Sequence, residues 1–189
     1  LLGGDRTSAD TQYSIVHSPG KSGQNSTVRF QPQSQSVRPV RIAFLTTDAT
    51  ASASEININA MSAWAEIAIV GSDTYGKPVG QLAFDLANAC TDRLRLVSFK
   101  TVNANGAGDY YAGLASSMRF ACAANDALGA PMGDPLDSLT QAALQWINTG
   151  ACTSVISSFV AGQAKTRPSS RYPLSQQPSA AERWVPGIQ

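Results

Sequence analysis

Ser52 and Lys77 are the two residues around which a reaction could be built. Ser52 sits in a run of small residues, Ala49-Thr50-Ala51-Ser52-Ala53-Ser54, that turns into a helical pattern at Glu55. A serine at a strand-to-helix turn is well placed to attack a carbonyl, but serine is also a good helix cap. As a nucleophile it needs a base to take its proton and a group to hold that base. The single histidine, His17, falls in a strand pattern beside a loop, with no evident acidic orienter. A Ser-His-Asp triad is therefore the weaker arrangement, and a surface or half-buried strand residue the simpler reading of His17. A lysine can serve if it loses its proton near neutral pH. A free lysine titrates near ~10.4, and burial lowers that value because desolvation disfavours the charged form. Lys77 lies in GSDTYGKPVGQ (71–81), between Gly76, which permits a close approach, and Pro78, which stiffens the chain. A lone loop lysine is solvated by default; the spacing from Ser52 is what singles this one out.

The elements that must position these residues follow from periodicity. TQYSIVH (11–17) alternates as a strand, and SPGKSGQNS (18–26) is a loop by composition. Its Gly20-Lys21-Ser22 is not a phosphate loop, because that motif needs a glycine where Ile15 stands. Asn25-Ser26-Thr27 is a formal glycosylation sequon. VRIAFLTT (40–47) reads as a buried strand. Ile56, Ala60, Ala63 and Trp64 recur at helical spacing, which predicts an amphipathic helix over about 54–65. IAIVG (67–71), PVGQLAFDLA (78–87) and RLRLVSFKTV (93–102) are further strands, and 103–114 is a Gly/Asn-rich loop. Asp134-Pro135 is expected to open a helix, with Leu136, Leu139, Ala143, Trp146 and Ile147 as its buried stripe and Gly150 as its stop. A further helix is expected over about 153–164. The order strand–helix–strand–strand predicts a mixed α/β layer fold.

The bulk numbers bound the rest. The chain has 189 residues and a formal net charge of +1, enough for one core and too balanced for general nucleic-acid binding. No apolar run spans a bilayer. The chain begins at Leu1 without Met, which predicts a mature or truncated piece and leaves room for a lost targeting segment. The three cysteines, Cys90, Cys122 and Cys152, form no CxxC and stand far from His17, which argues against zinc, and no metal or other cofactor is expected. They are either buried thiols or one disulfide plus a spare. Cys122 and Cys152 flank the 135–149 helix and are the favoured pair, with Cys90 as the competing partner.

SASE (52–55), followed by TYGKPVGQ (74–81), closely resembles the C-terminal processing peptidases, or tail-specific proteases. Lys77 comes 25 residues after Ser52, and Gln81 four residues later. These are the intervals of that family's nucleophile, lysine base and lysine-orienting glutamine. FKTVNANGAGDYYAGL (99–114) and GDPLDSLTQAALQWINTGAC (133–152) are similar to the C-terminal part of exported bacterial members, and the likeness runs over about 1–152.

The resemblance implies a partial, crotonase-like ββα spiral core of α/β class. Residues 1–164 would be the C-terminal portion of the catalytic domain, and 165–189 a Pro/Ser/Gln-rich tail. It implies a serine endopeptidase acting on peptides or proteins in the periplasm or another extracytoplasmic space, with the oligomeric state left open. Ala53 N–H would donate to the oxyanion, Ser54 would cap the helix, and Glu55 would suit its first turn on dipole grounds. The family's second oxyanion donor, from an upstream glycine-rich strand end, and its PDZ-like domain are not matched in this chain; LLGGDR (1–6) reads as the end of the helix that follows that strand end. A peptide-binding scaffold without turnover and a non-peptide acyl hydrolase remain as alternatives.

Overall fold

The computed structural model describes residues 3–86, 93–126, 129–131 and 133–157. Among these residues, seven strands and two α-helices follow in the order β1 (Thr11–His17), β2 (Ser26–Arg29), β3 (Arg41–Thr46), α1 (Ala53–Ser62), β4 (Glu66–Gly71), β5 (Val79–Asp85), β6 (Arg93–Asn103), β7 (Phe120–Ala123) and α2 (Ser138–Thr149). The strands form two sheets. One is antiparallel, in the order β2-β1-β6-β5; the other is parallel, in the order β3-β4-β7. The expected loop at 18–26 contains a 3-10 helix at Pro19–Gln24 and then enters β2.

β4 is the hinge of the layering. As the middle strand of a parallel sheet it must be apolar on both faces, and Ala68, Ile69 and Val70 are fully buried. Successive side chains point to opposite faces. Ile67 and Ile69 enter a core with Ile58, Met61, Tyr110, Leu114 and Met118. Ala68 and Val70 enter a second core with Cys122, Ala143 and Trp146. α1 therefore packs on β4 from one side and on β1 and β6 from the other, while α2 covers the far face on β3, β4 and β7. This sandwiching explains why Glu55, Ile58, Asn59, Ala60 and Met61 are all buried, a wider set than a single stripe. The β4–β5 loop, which carries Lys77, crosses from the parallel sheet to the antiparallel one beside the N-terminus of α1.

α2 starts later than the sequence predicts. Asp134 closes a tight turn, accepting the Leu136 N–H at 2.8 Å, and Asp137 is the N-cap, accepting the Thr140 N–H at 2.8 Å. Leu136 is accordingly outside the helix and exposed, and Ile147 is exposed on its outer face, while Leu139, Ala143 and Trp146 are buried as expected. Gly150 ends the helix in the left-handed conformation, φ 74°. Residues 153–156 are not helical. Val155 bridges Cys122, and Ile156 N–H donates to Ala121 O, so this segment pairs along β7. The remainder of the helix expected there, Cys90 and the 165–189 tail lie outside the described residues.

Cys122 and Cys152 are joined, with Sγ–Sγ 2.01 Å. The bond closes a 30-residue separation and ties β7 to the chain leaving α2. Closing a loop of that length stabilises by about 3.6 kcal/mol in the chain-entropy account. Replacing both cysteines by alanine is expected to lower the denaturant midpoint accordingly, and the same fall is expected on reduction of the unmodified protein.

Candidate active site

Ser52 is the N-cap of α1, with φ 55° and ψ −116°. It is the one non-glycine residue with positive φ among the described residues. Ser54 N–H donates to Ala51 O at 3.3 Å, so Ala51–Ser54 forms a β-turn with Ser52 at its second position. Those angles are those of a type II′ turn, where glycine is the usual occupant. A serine held there costs about 1–3 kcal/mol. Ser54, the expected cap, is instead the second helical residue and is exposed. The pattern Ser52-x-x-Glu55 marks the true cap, since a capping box places serine and glutamate at that spacing. The turn leaves Ser52 half-buried at the positive end of a helix whose first N–H belongs to Ala53.

Glu55 is fully buried. Its Oε2 accepts the Ser52 N–H at 3.0 Å and the Lys77 N–H at 2.8 Å, and its Oε1 accepts the Gly76 N–H at 2.6 Å. The serine turn and the lysine loop therefore meet on one carboxylate, and the two backbones are separated by no more than two hydrogen bonds through a shared oxygen. Tyr75 N–H donating to Thr50 O at 2.8 Å adds a direct link between the same segments. Lys77 is half-buried in the loop ahead of β5.

The far side of the lysine loop rests on 110–115. Asp73, buried, accepts the Thr74 and Ala115 N–H groups at 2.8 and 2.9 Å, and Thr74 Oγ1 accepts the Leu114 N–H at 2.9 Å. Gly76 has φ +87°, and a Cβ there would lie 2.5 Å from Tyr111 O. Gly113 has φ +110°, and a Cβ there would strike the Asp73 carboxylate at 2.3 Å. The glycines of this stretch and of the lysine loop thus permit a close backbone approach.

Tyr110 lies beneath the site at 3% exposure. Burial pushes its phenol up to about 12; the Thr101 hydroxyl pulls the other way, and the Glu55 charge adds to the rise. In an unfolded chain the phenol titrates near 10. Below that pH both states keep the proton. Between about 10 and 12 the unfolded chain releases it and the folded chain does not, so stability falls as pH rises, by about 2–3 kcal/mol in all. Tyr110→Phe is expected to flatten that alkaline loss, as read by urea unfolding at pH 9 and pH 11.

The remaining sequence candidates are more dispersed. Gln81 is exposed in β5, opposite Val97 and next to a register shift between Gly80 and Gln81. His17 lies in β1 with its ring against Phe99, centroids 5.6 Å apart, in a groove also lined by Val79, Val97 and Lys100. Among the described residues no group of three or more His, Cys, Asp and Glu could hold a metal ion, and no helix is long and apolar enough to cross a membrane. Glu55 and Asp73 are the residues that sequence reasoning undervalued. Glu55 was legible only as a favourable charge in the first helical turn, although the S-x-x-E spacing pointed to a closer role.

The sequence profile of peptidase family S41 matches residues 7–111, a span that contains Ser52, Lys77 and Gln81. No curated protein matches the chain. Among solved structures, a candidate S41 protease from Bacteroides fragilis NCTC 9343 superposes with a TM-score of 0.64 at 21% identity, over 80% of this chain and 39% of that one. At that identity the likeness is one of fold, and the chain spans about two fifths of that protein's length.

Proposed function

Because the chain belongs to peptidase family S41 and forms part of an α/β protease core, we propose that it carries the nucleophile and base of a serine endopeptidase of the tail-specific kind. Ser52 Oγ attacks the carbonyl carbon of a peptide bond, and its proton passes to the neutral Nζ of Lys77. The oxyanion that forms lies toward the Ala53 N–H at the helix N-terminus, where donors aimed at developing charge contribute most. Collapse breaks the C–N bond, and the Lys77 ammonium returns its proton to the leaving amine. The resulting ester on Ser52 is attacked by water, Lys77 takes that proton, and Ser52 is released protonated. Gln81 orients Lys77 by hydrogen bonding without adding the charge that would hold a proton on it.

The observation that carries this reading is the shared Glu55 carboxylate. It brings the strained serine turn and the lysine loop together from positions 25 residues apart in sequence. The Cys122–Cys152 bond supports an oxidising, extracytoplasmic setting such as the periplasm. The test is cleavage of an unstructured polypeptide by the complete protein, with new termini identified by mass spectrometry. Cleavage lost on Ser52→Ala supports the reading. Hydrolysis of esters but not peptides makes it an acyl hydrolase, and peptide binding without turnover makes it a scaffold.

A further inference from the structure

Ser52, Gly76 and Lys77 donate their backbone N–H groups to one side chain, and that side chain is fully buried. A carboxylate offers two oxygens and about four acceptor positions, so one side chain can accept all three donors. The donors are divided unevenly. Oε1 holds Gly76 alone, whereas Oε2 holds Ser52 and Lys77 together. One of the backbones so held is unusual. Ser52 is at φ 55°, a conformation that a non-glycine residue keeps only where the surroundings fix it, while Gly76 takes its φ of +87° at no cost.

From this geometry we infer that Glu55 is a positioning residue that sets the register between nucleophile and base. The inference rests on the reading of Ser52 and Lys77 as that pair. Glu55 touches neither substrate nor the transferred proton. It holds the Ser52 backbone in the turn that presents the hydroxyl, and it holds the loop that carries Lys77 against that turn. It is the third helical residue of α1, so movement of the helix end moves both arms together.

Glu55→Gln separates this role from packing, because it keeps shape and volume. Glutamine keeps one acceptor oxygen and puts an NH2 donor where the other stood, facing one or two N–H donors. It can hold Gly76, or the Ser52–Lys77 pair, but not both. A misplacement of about 1 Å between reacting groups costs on the order of 100-fold in rate. In the complete protein, kcat per folded molecule is therefore expected to fall by about 100-fold or more, with KM changed less than about threefold. The amides left without an acceptor, Gly76 or the Ser52–Lys77 pair, are expected to lose hydrogen-exchange protection while those of α2 keep theirs. Should Gln prevent folding, Glu55→Asp carries the same test, since it keeps the charge but draws the carboxylate back by one methylene. Wild-type kcat per folded molecule in either variant, with the three amides still protected, would overturn the inference while leaving the peptidase reading intact. Wild-type cleavage that persists in Ser52→Ala would instead remove the peptidase reading, and the exchange data alone would then decide whether Glu55 joins the two segments.

Discussion

Replacing Ser52 by glycine is expected to abolish peptide cleavage and, at the same time, to make the protein more stable. The hydroxyl is the proposed nucleophile, so either glycine or alanine at this position removes the reaction. Their effects on stability differ. Ser52 occupies a positive-φ turn position, φ 55°, that alanine tolerates poorly and glycine tolerates freely. Losing a serine cap to glycine costs only a few tenths of a kcal/mol, against about 1–3 kcal/mol of backbone strain relieved. The net gain should be about 1 kcal/mol for Ser52→Gly, whereas Ser52→Ala should be neutral or destabilised. Ser54→Ala, at an exposed second position of the helix, should alter neither activity nor stability appreciably. Thermal unfolding of the three variants, beside their cleavage rates, separates a strained nucleophile from a plain helix cap. A cap alone would make Ser52→Gly no more stable than wild type.

The second large effect is expected at Lys77. Lys77→Arg keeps a long basic side chain and the backbone N–H that Glu55 holds, so the loop should keep its place. Arginine cannot surrender its proton in the working range of an enzyme, and loss of a general base typically costs 10²–10⁴-fold. Cleavage by Lys77→Arg should therefore fall by about 100-fold or more with the fold preserved. Gln81→Ala should be slower than wild type but faster than Lys77→Arg, because the glutamine takes no proton. An active arginine variant would remove lysine from the mechanism and return attention to His17.

Much of the architecture was legible because the strands announce themselves. The runs at 40–47, 67–71, 78–87 and 93–102 agree with β3, β4, β5 and β6 to within two residues at either end. β7 has four residues, FACA, too few for alternation to show, and β2 is a short, largely exposed hairpin strand. Both are held by pairing with longer neighbours. The α2 boundary was missed because Asp134 and Asp137 are both plausible caps, and only packing places Leu136 in solvent and Leu139 in the core. In the site, Ser52 and Lys77 stood out by spacing. The means of joining them did not, because a buried carboxylate bonded only to backbone leaves no partner residue type to search for. Asp73 likewise did not stand out in the sequence; its carboxylate accepts the Thr74 and Ala115 amides.

The central claim is that Ser52 forms the covalent intermediate with Lys77 as its base. The most direct measurement is peptide mapping of the complete protein after acid quench during turnover of an activated ester, which captures an accumulated acyl-enzyme. One acyl group is expected, on the hydroxyl of Ser52, absent in Ser52→Ala and strongly diminished in Lys77→Arg. An acyl group on Ser54 or on another side chain, or equal acylation of Ser52 in the arginine variant, would contradict it.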